Sequence, residues 1–468
     1  MKEYCGVVGI YGNKNASQLA YLALYALQHR GEESTGIVTF DRKRIYQQKG
    51  MGLVGNVFNA ENLKKLKGHL AVGHVRYSTT GSSTAKNVQP LLISHKKGAI
   101  AVAHNGNLTN SVALRNELED SGSILQTTMD SELLLHLLVK DHQNNYSGKL
   151  LPIMSRLEGA FSFVLMINDA IYAVRDPHGF RPLCIGKLDG GYIVASETCA
   201  LDMVQATYIR DVEPGEIVII DKNGLRSLKE PEEKRRAFCI FEYIYFARPD
   251  SNIFTRSVYL ARKNLGRTLA KEHPVSADFV MPIPDSGTCA ALGYAEESKL
   301  PLEMAFVRNH YIGRTFIQPS QLIRDFKVKV KLNPVRDAIK GKRIVIVEDS
   351  IVRGTTSKGR VRALRDAGAS EIHMRVSCPP LISPCFYGID FPTRKELIAA
   401  NKTIDEIREF IGVDSLKYLS LDGMLSSMLL AKEDFCTACF TGNYPTTICK
   451  PPSKKALEKT RCAGLKIM

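Results

Sequence analysis

The sequence predicts two domains, a layered α+β domain followed by an α/β domain built on a parallel sheet. The first half holds many short runs of β-forming residues with helical patterns between them, whereas helices and strands alternate regularly after residue 236. Regular alternation is typical of a parallel sheet, and strand-rich segments with separate helices are typical of α+β domains. A charged run at residues 229–236 separates the two regions, and we interpret it as the linker.

Hydrophobic periodicity locates the individual elements. In the first domain, residues 17–28 and 130–139 have apolar side chains at helical spacing, with Asp130 placed to cap the second helix. The strands predicted there are residues 6–10, 69–75, 99–103, 161–166, 192–195 and 216–220. In the second domain, helices are predicted at residues 258–271, 288–298 and 357–366, and strands at residues 277–283, 302–307, 343–347 and 371–378.

Composition narrows the class of protein. The chain has 468 residues, of which 44% are hydrophobic, enough for sizeable cores, and its apolar runs are too short to span a membrane. The net charge of +15 fits attraction to polyphosphate substrates as well as to nucleic acid, and no basic stripe is interleaved with aromatic residues. Eleven cysteines without a secretion signal argue against a disulfide framework. We expect a cytoplasmic enzyme that binds neither nucleic acid nor membrane.

The most specific motif follows the strand predicted at residues 343–347. Two carboxylates, Glu348 and Asp349, come first, and a loop of small and hydroxyl-bearing residues then opens into a helix. Backbone N–H groups of such a loop, together with the positive end of the helix, bind an anion such as a 5′-phosphate. The carboxylates cannot bind phosphate, but they suit ribose hydroxyls, directly or through a metal.

The string from residue 344 to 356 resembles the phosphoribosyl pyrophosphate (PRPP) signature of type I phosphoribosyltransferases. The resemblance implies a pyrophosphate loop at residues 281–287, Mg²⁺ held through Ser286, Glu348 and Asp349, and a lid over PRPP at residues 314–331. Glu348 departs from the Asp-Asp pair that is usual in the most similar enzymes, although many other phosphoribosyltransferases have Glu-Asp. The PRPP-binding residues implied in this way are Asp285, Ser286, Glu348, Asp349, Ser350, Ile351, Val352, Arg353, Gly354, Thr355 and Thr356.

A second set of motifs begins at Cys5, at the start of the first predicted strand. Each string is weak alone, and Asn105-Gly106 by itself is a hairpin-turn signal. In order, however, they resemble the class II glutamine amidotransferase domain, an N-terminal-nucleophile hydrolase with four αββα layers, over residues 5–229. The second domain is then residues 237–468. The strings are Gln28-His29-Arg30-Gly31, His74-Val75-Arg76-Tyr77-Ser78-Thr79, His104-Asn105-Gly106-Asn107 and Asp130-Ser131-Glu132.

This resemblance assigns roles to five residues. It implies that the Cys5 thiolate attacks the side-chain amide of glutamine, while the Asn105 side chain and the Gly106 N–H stabilise the oxyanion. It also implies that Arg76 pairs with the glutamine α-carboxylate and Asp130 with the α-ammonium group. Removal of residues 1–4 as a propeptide would free the α-amine of Cys5, and an α-amine with a pKa of about 7.7–8.0 suits a general base.

Four further cysteines form a candidate metal-binding set: Cys239, Cys385, Cys436 and Cys439. Spacing alone leaves a [4Fe–4S] cluster, a structural Zn²⁺ and buried thiols all open, because only the last two cysteines are close in sequence. One branch of the glutamine PRPP amidotransferases has a structural [4Fe–4S] cluster with cysteines in these contexts. The resemblance therefore implies one cluster per chain, tying the C-terminal tail to both domains.

Together the two resemblances imply a single reaction, in which glutamine, PRPP and water give 5-phosphoribosylamine, glutamate and pyrophosphate, the first step of de novo purine biosynthesis. Family members are usually homotetramers inhibited by purine nucleotides, and we expect both properties here. Three alternatives are a sugar-phosphate aminating amidotransferase, a non-catalytic sensor of PRPP or purines, and a degenerate paralogue. The first does not need the PRPP loop, and the second does not need Cys5, Arg76, Asn105 and Asp130 together.

Overall fold

Two stacked antiparallel sheets form the first domain in the computed structural model, which describes residues 5–77, 83–140, 146–229, 234–308, 332–390, 393–448 and 457. Seven strands form one sheet in the order β11-β9-β10-β1-β4-β2-β3, and six form the other in the order β13-β12-β8-β7-β6-β5. The strands are β1 (Gly6–Tyr11), β2 (Ser34–Phe40), β3 (Ile45–Met51), β4 (Leu70–Arg76), β5 (Leu91–His95), β6 (Gly98–Leu108), β7 (Gly159–Ile167), β8 (Ala170–Arg175), β9 (Cys184–Leu188), β10 (Gly191–Ala195), β11 (Thr207–Asp211), β12 (Glu216–Asp221) and β13 (Gly224–Lys229).

Helices cover the outer face of each sheet, which gives four αββα layers. Alternate residues of β1 show the arrangement, because Val7 packs in the core between the sheets while Val8 packs in the core beneath α1 and α7. Both faces of the central strands are therefore buried, and the strands read as continuous apolar runs. The helices are α1 (Ala16–Ala26), α2 (Val54–Val57), α3 (Ala60–Lys65), α4 (Ser111–Asp120), α5 (Ser131–Lys140), α6 (Tyr146–Met154) and α7 (Thr198–Met203), with 3₁₀ turns at Gln28–Arg30 and Ala85–Asn87.

A four-stranded parallel sheet in the order β17-β20-β21-β22 forms the centre of the second domain. Its strands are β14 (Phe238–Cys239), β15 (Asn252–Ile253), β16 (Arg256–Ser257), β17 (Phe279–Pro282), β18 (Phe306–Arg308), β19 (Leu332–Pro334), β20 (Arg343–Glu348), β21 (Glu371–Val376), β22 (Ser415–Tyr418) and β23 (Phe435–Cys436). Its helices are α8 (Val258–Glu272), α9 (Thr288–Ser298), α10 (Arg336–Ile339), α11 (Thr355–Asp366), α12 (Ile404–Ile411), α13 (Leu421–Ser426) and α14 (Ala438–Thr441), with a π turn at Glu242–Phe246 and 3₁₀ turns at Arg394–Glu396, Ile398–Ala400 and Lys432–Asp434.

The predicted fold class is confirmed, an α+β domain of four αββα layers followed by a parallel-sheet α/β domain. Most predicted elements agree with the structure within a few residues, but the strand predicted at residues 302–307 does not. Only Phe306–Arg308 form a strand there, paired with β19 outside the main sheet, and Leu302 makes a single bridge to Val280. In the part of the chain that the structure describes, no helix is long and apolar enough to cross a membrane.

A buried ion network joins the two domains near residue 242. The Glu242 carboxylate accepts hydrogen bonds from Arg30 and from Arg181 at 3.2 Å, and all three side chains have no exposed surface. Arg30 also donates to Glu197 at 2.5 Å, and Glu197 in turn accepts from Ser251 at 2.6 Å. Since Glu242 and Ser251 follow the predicted linker and the others precede it, these contacts fasten the domains together. The boundary of the domains at residues 229–237 stays a prediction.

Replacing Glu242 by glutamine is expected to lower the free energy of unfolding by about 3–5 kcal/mol, because it removes a charge that two buried guanidinium groups share. Urea unfolding followed by circular dichroism measures this change. Glu409→Gln is the matched control, since that side chain is 70% exposed and pairs with Arg408 on the surface. If the two variants had the same free energy of unfolding, the network would not contribute the stability that we expect of it.

Candidate active sites

Cys5 lies directly before β1, with only 6% of its surface exposed, and its thiol donates to the carbonyl oxygen of Tyr77 at 3.4 Å. Burial raises the pKa of this thiol to about 11, and the carboxylates of Glu33 and Asp130 act in the same direction, while Arg76 opposes them. The thiol is therefore protonated at neutral pH, and a base must take its proton before it can act as a nucleophile.

Arg76 ends β4 and is 1% exposed. Burial lowers the pKa of its guanidinium group, while Cys5, Glu33 and Asp130 act to raise it. Four charged or titratable groups from separate segments thus surround one site. Gly31 lets the chain approach this strand, since a Cβ atom there would lie 2.6 Å from the backbone nitrogen of Arg76. Glu33 was missed from the sequence, although the Gln28–Gly31 string ends only two residues before it.

Asp130 and His104 place a second part of the site. The Asp130 carboxylate lies 3.3 Å from Nδ1 of His104 and accepts from the backbone N–H of Leu108 at 2.9 Å. Burial opposes ionisation of Asp130, but His104 and the N–H donors outweigh it, so the pKa of the carboxyl lies below its usual value. The Asp130 carboxyl group is buried yet favours its ionised form, which suits binding of a positively charged group.

Asn105, next along β6, is fully buried, and neither atom of its amide has a partner among the described residues. An unpaired buried amide costs about 1–3 kcal/mol, so a bound group is expected to satisfy it. Asn105-Gly106 is not a turn, because β6 continues through both residues and pairs with Ser162 and Phe161 of β7. Gly106 has a φ of +148°, and a Cβ atom there would lie 2.0 Å from the carbonyl oxygen of Ala160.

The predicted PRPP loop begins at the carboxyl end of β20, where Asp349 connects two loops. Its carboxylate accepts from the hydroxyl of Ser286 at 2.5 Å and from that of Ser350. The loops approach closely because Gly287 has no side chain, since a Cβ atom there would lie 2.4 Å from the carbonyl oxygen of Val347. The structure therefore brings Ser286 and Asp349 together, as the predicted metal contacts require.

Glu348 is held by two residues that were missed from the sequence. Its carboxylate accepts from the Ser357 hydroxyl at 3.0 Å and from the Arg360 guanidinium group, both on α11. Burial raises the pKa of Glu348, and Arg360 opposes that shift. These residues lie nine and twelve positions after Glu348, on one face of the helix. Asp285, in the predicted pyrophosphate loop, pairs with Arg308.

The rest of the loop leads into a helix N-terminus. Gly354 caps α11 with a φ of +72°, and Thr355 and Thr356 form the exposed first turn. The backbone N–H of Ile398 donates to the Val352 carbonyl oxygen at 2.9 Å. Ser350 and Ile351 are buried, whereas Arg353 is exposed and pairs with Glu396 at 3.0 Å. The lid predicted at residues 314–331 lies outside the described residues, as does the predicted propeptide at residues 1–4.

The four candidate ligand cysteines lie together where the domains meet. Cys239 and Cys436 are paired in the two-stranded parallel sheet of β14 and β23, and Cys439 lies in the following helix α14. Burial raises the pKa of all four thiols, that of Cys239 to about 11, and each thiol is acted on by others of the set or by Arg181. Among the described residues, no group of three or more His, Cys, Asp or Glu side chains could hold a metal ion.

A family model, similar sequences and solved structures all match this chain, and their matches agree with one another. A family model described as a glutamine amidotransferase domain matches residues 74–203. Amidophosphoribosyltransferase 2, chloroplastic, of Arabidopsis thaliana is 50% identical over 459 residues, which cover 97% of this chain and 81% of the relative. The amidophosphoribosyltransferase of Bacillus subtilis is 48% identical over 453 residues, covering 96% and 95%.

Solved structures agree with these relatives. Glutamine PRPP amidotransferase from B. subtilis, complexed with ADP and GMP, superposes with a TM-score of 0.91 at 47% identity and covers 97% of this chain and all of that one. A structure described as the allosteric regulatory enzyme of purine biosynthesis gives a TM-score of 0.92 at 47% identity, covering 97% and 99%. With near-complete coverage by relatives of about half identical sequence, the chain belongs to the amidophosphoribosyltransferase family.

Proposed function

We propose that Cys5 hydrolyses glutamine and that the loop at residues 348–356 binds the PRPP which the released ammonia aminates. The observation that carries the first half is the buried amide of Asn105, which has no protein partner among the described residues. It lies beside His104 on β6, and Asp130, which His104 contacts, acts electrostatically on Cys5. An amide donor held in this way suits the oxyanion that forms when a thiolate attacks an amide.

The charges of the site match the head group of glutamine. Arg76 offers a guanidinium group to the α-carboxylate, and the ionised Asp130 offers a carboxylate to the α-ammonium group. Glu33 adds a second negative charge near Arg76, and this charge would strengthen binding of the α-ammonium group. The high pKa of Cys5 requires a base, and we assign that role to the α-amine freed by removal of residues 1–4.

In the second domain, Asp349 and Ser286 supply oxygen ligands suited to Mg²⁺, a hard cation. When bound, Mg²⁺ would neutralise charge on the departing pyrophosphate. Each carboxylate oxygen of Glu348 accepts one bond, from Ser357 or from Arg360, and keeps a further lone pair that suits a ribose hydroxyl. Backbone N–H groups after Gly354, with the start of α11, suit the 5′-phosphate. A non-catalytic sensor has no need for the charged set around Cys5, which counts against that alternative.

The test of this proposal is glutamate release from glutamine, measured with and without PRPP and Mg²⁺ on protein purified without oxygen. We expect release to be strongly stimulated by PRPP, because the two sites serve one reaction. Release that ignores PRPP would mean that the acceptor is misassigned. Absence of release under both conditions, in protein whose mass shows that Cys5 is N-terminal, would contradict Cys5 as the nucleophile.

We propose further that Cys239, Cys385, Cys436 and Cys439 hold a structural [4Fe–4S] cluster. Cys239 and Cys439 are buried, and Cys385 and Cys436 are half-buried. Burial raises the pKa of all four thiols, so they are costly to ionise, and cations among them would lower that cost. Cys239 and Cys436 would hold the cluster from the paired strands β14 and β23, Cys439 from α14 and Cys385 from the loop that follows β21. The cluster would cross-link three segments of the second domain, which are β14, the loop that contains Cys385 and the segment from β23 to α14.

Cys436→Ser is expected to lower the iron content from about four atoms per chain and to lower the unfolding temperature, because one ligand is lost. Iron analysis and the visible absorption spectrum of protein purified without oxygen measure this. Cys289→Ser is the control, since Cys289 is buried in the same domain but lies outside the set. Wild-type protein that folds and works without iron would exclude the cluster.

Two further properties are expected from relatives. The B. subtilis enzyme was solved with ADP and GMP, and we propose that purine nucleotides also bind and inhibit this chain. Assembly as a homotetramer stays a prediction. The cytoplasmic location also stays a prediction, since several of the similar relatives are named as chloroplastic.

A further inference from the structure

We propose that Gly388 of the second domain is a positioning residue for glutamine hydrolysis in the first, an inference that rests on the function proposed above. Gly388 packs on the backbone of Gly106, the expected oxyanion donor. A Cβ atom on Gly388 would lie 3.1 Å from the carbonyl carbon of Gly106, 3.2 Å from its oxygen and 3.3 Å from its Cα atom. Backbone therefore lies against backbone, and a side chain at Gly388 would require the Gly106 backbone to shift by a few tenths of an ångström.

Gly106 is also closely confined by its own domain. A Cβ atom on Gly106 would lie 2.0 Å from the carbonyl oxygen of Ala160 and 3.0 Å from Nε2 of His104. The next residue is tied to the same loop, because the Asn107 amide donates to the carbonyl oxygen of Phe386 at 2.9 Å. The residues 386–388 thus fix the orientation of the strand at the point where an oxyanion donor must be aimed.

The loop itself is rigidly held. Tyr387 is buried, its ring stacks on Phe180 at 4.2 Å between ring centroids, and its carbonyl oxygen accepts from Arg181 at 2.7 Å. Its hydroxyl lies 2.9 Å from that of Thr446. These contacts hold the loop in one position, so the loop can in turn position the backbone of Gly106.

The chain is hydrogen-bonded to the PRPP loop on either side of Gly388. Upstream, the Ser377 N–H donates to the carbonyl oxygen of Glu348 at 2.9 Å. Downstream, the Ile398 N–H donates to the carbonyl oxygen of Val352 at 2.9 Å. The chain that contacts Gly106, the expected oxyanion donor for glutamine hydrolysis, is therefore also hydrogen-bonded to the loop that is predicted to bind PRPP.

Gly388→Ala is expected to lower kcat for glutamine hydrolysis by about 10- to 100-fold with KM within about twofold, as loss of aim at an oxyanion donor does. Synthesis from ammonia and PRPP should stay within about twofold, and iron content should not change. Gly412→Ala is the matched control. Gly388 has a φ of +104° and Gly412 a φ of +87°, but a Cβ atom on Gly412 meets nothing within 4 Å, so the control has the same kind of backbone penalty without the contact.

A second variant, Asn107→Ala, removes the hydrogen bond to Phe386 and is expected to lower the same kcat by about 3- to 10-fold without changing ammonia-dependent synthesis. If Gly388→Ala does not fold, Asn107→Ala tests the positioning role in its place. Equal loss of the glutamine and ammonia reactions, or no loss of either, would overturn the positioning role. Wild-type protein without either activity would instead refute the proposed function, so the two failures are distinguishable.

Discussion

Replacing Cys5 by alanine is expected to lower glutamine-dependent synthesis by about 10³-fold or more, while synthesis from ammonia and PRPP continues. No other group described around the site is a nucleophile of comparable reactivity, and removal of a nucleophile commonly has an effect of at least this size. The side chain is small and buried, so its loss leaves little cavity. The two activities are measured on the same preparation, by glutamate release and by pyrophosphate release.

Cys199→Ala is the matched control for this experiment. Cys199 is also buried in the first domain, but it lies in α7, where its thiol contacts Glu197 at 3.7 Å. We expect both activities to remain near wild type in that variant. Loss of the ammonia-dependent reaction in Cys5→Ala would mean that Cys5 supports the fold, and retention of the glutamine-dependent reaction would assign the nucleophile elsewhere.

Replacing Asp349 by asparagine is expected to lower kcat/KM for PRPP by about 10²-fold with either nitrogen source. The change removes the charge that would hold ribose or metal, and it replaces an oxygen acceptor of the Ser286 and Ser350 hydroxyls. Hydrogen bonds to charged groups contribute about 1.5–3 kcal/mol each, so one lost bond accounts for most of the effect. Initial rates at varied PRPP and fixed Mg²⁺ measure it.

Asp405→Asn makes the same chemical change at a side chain that is 89% exposed, and it should leave these rates unchanged. Glutamine hydrolysis without PRPP should also survive in Asp349→Asn, because that reaction takes place in the other domain. Unaltered use of PRPP in Asp349→Asn would remove this residue from the site. Loss of PRPP-independent hydrolysis would point to a folding defect.

Elements with a strong local pattern were predictable from the sequence. The helix expected at residues 288–298 is Thr288–Ser298, and the strand expected at residues 343–347 is Arg343–Glu348, because apolar periodicity is a local property. The Asn105-Gly106 pair shows the limit of such rules. It reads locally as a turn, yet pairing with β7 holds it in a strand, since tertiary context overrides local preference.

Contacts between distant segments were not predictable from one sequence. Glu33 acts on Cys5 only because the Gly31 backbone can lie against Arg76, and nothing near residue 33 indicates that approach. Arg360 reaches Glu348 across a turn whose geometry depends on Gly354 at a positive φ. The contact of Gly388 with Gly106 joins residues of different domains, and no periodicity or composition carries that information.

The ion network around Glu242 has a consequence for the order in which the chain is made. Arg30 and Arg181 leave the ribosome 212 and 61 residues before Glu242, and the Tyr387 carbonyl that Arg181 also contacts comes later still. A nascent first domain therefore carries two guanidinium groups whose shared partner Glu242 does not yet exist, although Glu197 is already available to Arg30. Cutting the gene at the linker would make that interim state permanent. A first domain moved to another enzyme would lose Glu242, and its two arginines would need a new acceptor or replacement by apolar residues.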